Sequence, residues 1–270
     1  MENNSLKSVT IIGYGRLGAL FHRSLMSVGI TEIQIVKKNE WPDRLNQLVL
    51  ICVPDSEIEV VSAKIANTFK GLTNQVIIHC SGTVGLSVLH KLEQKGATVG
   101  CIHPLMAVSE ATTSFNNVTF DVCGSATFIG FAKSLIHLLD ADMVVVEEDQ
   151  KKKLHIASVV ASNYLVTLMH LAQEIADSDS QNQESLKPAL LSLMQSAVNN
   201  LEKSSPKEAL TGPIARGDVE TVSDHIELLK KHHSKNLDLY KILGKATVDM
   251  LGDRITQKEK NALIELFDES

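Results

Sequence analysis

The chain has 270 residues, of which 44% are hydrophobic and 21% charged, and its net charge is -6. That length holds one large domain or two ordinary ones, and that balance excludes a disordered chain. The acidic net charge leaves no electrostatic footprint for nucleic acid or for an anionic membrane. Residues 1–10 lack an apolar core of signal-peptide length, and no uninterrupted apolar stretch reads as long enough to span a bilayer. The four cysteines, Cys52, Cys80, Cys101 and Cys123, stand singly in apolar runs without CxxC spacing. They read as free buried thiols of a cytoplasmic protein, with no metal site.

The first element is an apolar run, Val9 to Ile12, leading into Gly13-Tyr14-Gly15-Arg16-Leu17-Gly18 and then a helical pattern through Leu17, Leu20, Phe21 and Leu25. A GxGxxG motif carries information in this strand–loop–helix setting. Gly13 makes the tight turn, Gly15 lets backbone approach a pyrophosphate, and Gly18 lets helix and strand pack closely. The phosphates are expected on the free amides of the helix N-terminus. Glu32 to Val36 is the second strand. Where NAD-binding chains place an acid for the ribose hydroxyls, this one has Lys37, Lys38 and Asn39. Two cations there suit the 2′-phosphate of NADP, although Glu40 in a shifted register is the alternative acid.

Leu48 to Val53 reads as a buried parallel strand, broken by Pro54-Asp55 and followed by a helix over Ser56 to Phe69. Further strands are expected at Gln75 to Ile78, Ala97 to Ile102, Phe115 to Val122 and Met143 to Val146, with a helix over Thr127 to Leu139. The alternation predicts an α/β fold: a doubly wound, mainly parallel Rossmann sheet, followed by an all-helical domain. Ligands bind beyond the carboxyl ends of such strands, which places Val53, Pro54, Asp55, Ser81, Gly82 and His103 near the nicotinamide and substrate. Proline keeps His103 extended at its strand end, as a substrate donor or a loop anchor. His79, one step further back, reads as structural.

Glu147 to Gln150 looks like the boundary, giving domains 1–148 and 149–270. Lys151 to Asp177 is expected to be one long helix, apolar nearly all round in its middle and therefore buried. On it, His155, Ser158, Ser162 and Asn163 have the spacing of one helical face. Ser178 to Ser185 reads as a polar loop, and helices are expected over Leu186 to Leu201, Val219 to His233, Leu237 to Leu251 and Gln257 to Phe267. Between two of them lies Leu210-Thr211-Gly212-Pro213-Ile214-Ala215-Arg216-Gly217-Asp218. Asp218 is a good N-cap. Arg216 has the planar fork that holds a carboxylate or phosphate, with Thr211 as a nearby hydroxyl donor, and its plainer role is an ion pair.

Together with Val53-Pro54-Asp55, His79-Cys80-Ser81-Gly82, His103-Pro104-Leu105 and Ala161-Ser162-Asn163-Tyr164, the glycine loop and the Arg216 segment resemble the Rossmann-like oxidoreductases with a helical C-terminal domain of unknown function. The resemblance covers almost the whole chain. It is similar in architecture to pyrroline-5-carboxylate reductase, ketopantoate reductase and the 6-phosphogluconate dehydrogenase group. It implies an NADP domain, a helical second domain, a cleft between them and a homodimer built through the helices. Some relatives serve as alternative ketopantoate reductases in pantothenate biosynthesis, so reduction of 2-dehydropantoate (ketopantoate) to pantoate is the leading expectation. The chain departs from the β-hydroxyacid dehydrogenases, which carry a lysine four residues before the asparagine: with Asn163 as that asparagine, the lysine position is Val159.

The resulting expectation is an NADPH-dependent reductase of a small 2-keto carboxylate. His155 is favoured over His103 as the general acid, because it shares a helical face with Asn163. Asn163 and Ser162 polarise the carbonyl, and Arg216, Thr211 and Ser158 bind the substrate. Two other readings are an imine reductase of the pyrroline-5-carboxylate type and an NADP-binding sensor without activity.

Overall fold

Seven short apolar runs pair into one sheet in the computed structural model, which describes residues 6–177 and 186–269. They are β1 (Ser8–Ile12), β2 (Glu32–Val36), β3 (Leu48–Ile51), β4 (Val76–His79), β5 (Thr98–Pro104), β6 (Thr119–Gly124) and β7 (Asp142–Val145), in the spatial order β2-β1-β3-β4-β5-β6-β7. Every neighbouring pair is parallel except β5–β6. The chain steps outward from β1 to β2 and then returns to the other side of β1 as β3. That reversal opens a crevice at the carboxyl ends of β1 and β3.

Successive side chains of a strand face opposite sides, so each strand feeds two cores. On one face, Ile11, Leu50, Ile78 and Ile102 meet Phe21 and Leu25 of α1 (Arg16–Ser27) and residues of a later helix. On the other, Ile12, Val49, Ile51 and Ile77 meet Ile58 and Ile65 of α2 (Asp55–Thr68) and Leu92 of α3 (His90–Glu93). The later helix is α4 (Ala126–Leu138), capped by Ser125, whose hydroxyl accepts from Phe128 N. Gly100 and Gly124 stand opposite each other across β5 and β6, and the Phe128 ring covers both. A Cβ would lie 2.2 Å from that ring at Gly100 and 2.4 Å at Gly124. Strand β6 starts at Thr119, four residues after the expected Phe115. Phe115 lies ahead of it but is fully buried beside Phe21 and Phe120.

From Glu147 onward the chain is helical among the described residues. Helix α5 (Glu148–Ser158), a π turn (Val159–Asn163) and α6 (Tyr164–Asp177) follow without a break. Then come α7 (Lys187–Leu201), α8 (Pro206–Ala209), α9 (Val219–His232), α10 (Ser234–Leu251) and α11 (Gln257–Asp268). Two compact units result, Met1–Tyr164 and Leu165–Ser270. Residues 149–164, expected in the second domain, thus belong to the first unit. The second unit has its own core of Val222, Ile226, Val248, Leu251, Leu263 and Phe267. The loop expected over Ser178 to Ser185 lies outside the described residues.

Three expectations for the long helix need correction. Its apolar middle is not buried among the described residues: Ile156 is 65% exposed, Val160 56% and Val166 71%. An all-round apolar pattern reports a need for cover and does not say whether the same chain supplies it. The stretch Glu148–Ala176 is also long and apolar enough, by length and composition, to cross a membrane. Finally, the π turn sits between Ser158 and Asn163, so regular α spacing across these residues does not hold.

Candidate active site

The glycine loop has the geometry its motif predicts. Gly13 has φ 96°, and a Cβ there would lie 2.5 Å from the Cys52 carbonyl oxygen, so only glycine fits the turn. A Cβ at Gly18 would lie 2.1 Å from the Gly13 carbonyl oxygen. Around Gly15, by contrast, nothing stands within 4 Å of a Cβ position. It opens α1, which has no side-chain cap and no acidic residue in its first turn. Free amides, the positive end of the helix dipole and open space suit the pyrophosphate of a dinucleotide.

A cavity of about 850 Å³ leads from this loop along the end of β2. Gly13, Tyr14, Gly15, Lys37, Lys38, Val53 and Pro54 line it, as does Glu40. Glu40 is turned back on the strand end, where its carboxylate accepts from Lys37 N at 2.7 Å. Two lining residues were missed in the sequence. Trp41 forms part of the wall, and Lys64 of α2 lays its ammonium 3.9 Å from the centre of the indole ring. Neither has a local signal, because a turn and a helix surface bring them together. Tyr14 donates to or accepts from His22 Nδ1 through its hydroxyl at 2.7 Å.

A second pocket is lined by Gly15, Arg16 and Leu17 together with Val53, Pro54, Asp55, Cys80 and Ser81. The Ser81 hydroxyl accepts from the amides of Thr83 and Val84, and Thr83 Oγ1 donates to Asp55 at 2.6 Å. These bonds shape the turn after β4. Gly82 lies at its apex, where a Cβ would stand 2.7 Å from His103 Cε1 and 2.8 Å from His155 Nδ1. The two candidate histidines therefore meet over one glycine, with ring centres 5.9 Å apart.

They are held differently. His103 and Asp121 are register partners across the antiparallel β5–β6 pair, so their side chains share a face, and His103 Nδ1 bonds Asp121 Oδ2 at 2.7 Å. His155 Nδ1 is buried with no hydrogen-bond partner among the described residues. Beneath the pair lies Lys151 of α5, 1% exposed, donating to the Ser81 carbonyl at 2.9 Å and to Cys101 Sγ at 2.7 Å. Its ammonium is 3.5 Å from Asp121 Oδ1. Burial opposes the lysine charge, but the Cys101 sulfur and the Asp121 carboxylate outweigh it and leave Lys151 above the usual lysine range. Burial pushes the Cys101 thiol up to about 12, so at neutral pH Asp121 supplies the countercharge.

Asp121 and Lys151 were also missed. The available signal was a carboxylate inside the apolar run Phe120-Asp121-Val122. Lys151 gave none, since it opens the run Lys151-Lys152-Lys153 that reads as a solvated helix start. His79 is structural, as expected: it is fully buried, accepts from Ser81 N, and its pKa is lowered to about 4, first by burial and then by the Lys151 charge.

The two serines of the predicted polar stripe find partners within their own helix. Ser158 donates to the Leu154 carbonyl, and Ser162 to the Ser158 carbonyl at 2.6 Å and to Asn163 Oδ1 at 2.9 Å. Thr211 and Arg216 belong to the second unit. Arg216 follows Pro213 in a short 3-10 turn, is 66% exposed, and lies 4.0 Å from Asp218. Asp218 caps α9 by accepting from Thr221 N, as its position predicts.

Fold and site together define a Rossmann-type protein with a helical C-terminal part. Residues 21–104 match the Rossmann-like domain, and residues 118–247 match the domain of unknown function DUF2520. The chain thus carries a Rossmann-like domain followed by a DUF2520 domain. No curated protein matches its sequence. Among solved structures it is similar to a provisionally assigned NADP oxidoreductase of Bacteroides fragilis, at 19% identity over 89% of this chain and 97% of that one, TM-score 0.74. A protein of Thermotoga maritima is similar at 22% identity over 90% and 98%, TM-score 0.69. A pyrroline-5-carboxylate reductase of Coxiella burnetii is similar at 15% identity over 97% and 99%, TM-score 0.59. At these identities the likeness is one of fold.

Proposed function

We propose that this chain is an NADPH-dependent reductase of a C=O or C=N bond in a small carboxylate-bearing compound, with 2-dehydropantoate the first substrate to test. One observation carries the reading. The glycine loop and the Cys80-Ser81 end of β4 line a common pocket, and a Cβ on the next residue, Gly82, would run into both histidines. The names of similar solved structures, an NADP oxidoreductase and a pyrroline-5-carboxylate reductase, support the same class.

The nicotinamide cofactor supplies the hydride when bound. Gly13, Gly15 and the α1 amides hold its pyrophosphate, and Lys37 and Lys38, joined by Lys64, favour the 2′-phosphate. His103 is the better proton donor, because Asp121 fixes its ring through Nδ1. This reverses the preference for His155 drawn from helical spacing. Arg216 and Thr211 are proposed to hold the substrate carboxylate. The helical chain is proposed to form a homodimer in the cytoplasm, with no nucleic-acid or membrane partner.

A second reading has its own support: the solved structures similar to this chain include an imine reductase of Bacillus cereus, at 16% identity and TM-score 0.56. An iminium substrate arrives protonated and asks less of His103. The deciding experiment follows NADPH oxidation by the purified protein with 2-dehydropantoate and a panel of ketones and cyclic imines, with NADH in parallel. Turnover that prefers NADPH and falls on the order of a hundredfold in kcat for His103→Ala supports the ketone reading. Turnover of imines alone, little changed by His103→Ala, moves the assignment to imines. Tight NADPH binding with no turnover of any substrate makes the protein a binder without chemistry.

A further inference from the structure

We propose that Lys151 is a positioning residue, which sets the charge on the proton-donor histidine through the carboxylate that both groups share. The inference deepens the reading of His103 as proton donor and rests on it. The geometry is a three-member chain. Lys151 Nζ stands 3.5 Å from Asp121 Oδ1, and His103 Nδ1 bonds Asp121 Oδ2 at 2.7 Å. Lysine and aspartate side chains are 1% and 2% exposed, whereas the His103 side chain is 19% exposed. Only the histidine end of the chain reaches solvent.

A carboxylate this deep needs a countercharge. Two candidates are in contact with Asp121, and they make different enzymes. Were His103 the sole partner, the pair would be a buried aspartate–imidazolium, and the proton would be held where it must be released. With the Lys151 ammonium on Oδ1, the charge is already matched. Asp121 then orients the imidazole through Nδ1 and needs no countercharge from the ring. Lys151 is fixed in this role by the Ser81 carbonyl, which accepts from the same ammonium and precedes the Gly82 on which both histidines rest.

The groups around the chain come from every element packed on it. His103 faces Asp121 of β6 and His155 of α5. Lys151 faces Cys101 of β5, Asp121 and Cys123 of β6, and, by its effect on the ring, His79 of β4. Both cysteines are raised chiefly by burial and are thiols at neutral pH, and burial keeps His79 uncharged there. Lys151 is thus the one permanent cation against Asp121 among these groups.

The test uses the full chain and Lys151→Gln, which keeps an N–H donor for the Ser81 carbonyl and removes the charge. The imidazole of His103 is titrated by NMR, which needs no substrate and so stands even if the reductase reading fails. Loss of the cation is expected to move the His103 midpoint up by about one pH unit or more. Lys151→Arg, with the charge restored, is expected to return it. Under turnover, Lys151→Gln lowers kcat and moves the alkaline limb of the pH profile with the His103 midpoint, leaving the KM for NADPH unchanged. A folded Lys151→Gln protein whose His103 midpoint has not moved would overturn the proposal. If Lys151→Gln does not fold, Asp121→Asn is used and the Lys151 side chain itself is followed. A lysine midpoint that drops supports the shared carboxylate, and an unmoved one overturns it.

Discussion

Single residues divide the glycine loop into two kinds of site. Gly15 has ordinary backbone angles, φ -77° and ψ -165°, and open space at its Cβ position. Gly15→Ala should therefore fold with an unchanged melting temperature and lose at least tenfold in NADPH affinity, because the added methyl occupies the phosphate's approach. Gly18→Ala should show the opposite order of effects: its Cβ would collide with the Gly13 carbonyl, so stability falls first. Thermal melts beside a binding titration separate the two. His79 carries the pH signature of the fold. Its native pKa of about 4 lies below the unfolded value of 6.5, so the unfolded chain takes up its proton first as pH falls. The stabilisation is complete above pH 6.5 and is lost on the way down to pH 4, amounting to about 3 kcal/mol. Denaturant melts across that window should show the loss, and His79→Asn should flatten the slope.

Among the elements, the antiparallel β5–β6 pair sets the partners of His103. Its register puts His103 opposite Asp121 and, three pairs further on, Gly100 opposite Gly124, with Phe128 of α4 seated on the two glycines. The same helix that packs on both strands thus lies behind the His103 ring. Phe128 is fully buried, and Phe128→Ala removes its packing and leaves a cavity, at a cost of about 3–5 kcal/mol. The expected companion effect is a weakened His103–Asp121 pair, seen as a shifted His103 signal in NMR. A stability loss with that signal unmoved would show the strand pair to be held by its ladder alone. The π turn at Val159–Asn163 is the other informative element. It follows His155 by one turn, and Ser162 turns its hydroxyl back to the Ser158 carbonyl there.

At the scale of the whole molecule, an apolar helix is left exposed by the described residues. Ile156, Val160, Tyr164 and Val166 are all more than half exposed, as are Leu191 and Leu193 on α7. The proposed homodimer gives this surface a partner. A bilayer is the other occupant of matching length, but His155, Ser158, Ser162 and Asn163 lie in the middle of the stretch, where lipid disfavours polar groups. Light scattering should give twice the 29.5 kDa chain mass. Val166→Asp should give one chain mass, and lipid vesicles should not bind either form. A monomer that floats with vesicles would reverse the assignment.

The α/β order, the glycine loop and the helical second half were legible because each is written in local periodicity. β3 is a continuous apolar run since helices cover both its faces, and Gly13, Gly15 and Gly18 lie within six residues of one another. The sequence by itself determined that there is a sheet, where its crevice opens and that a glycine turn joins its first strand to its first helix. It also singled out His103 and His155. Only the tertiary structure decided their setting. Asp121 is 18 residues from His103 and Lys151 is 48, and nothing local says that an antiparallel return will lay one opposite the ring and that a helix start will bury the other beneath it. Periodicity reports which face of an element is apolar; the pairing of charges across strands depends on register, and register is settled only when the whole sheet has assembled.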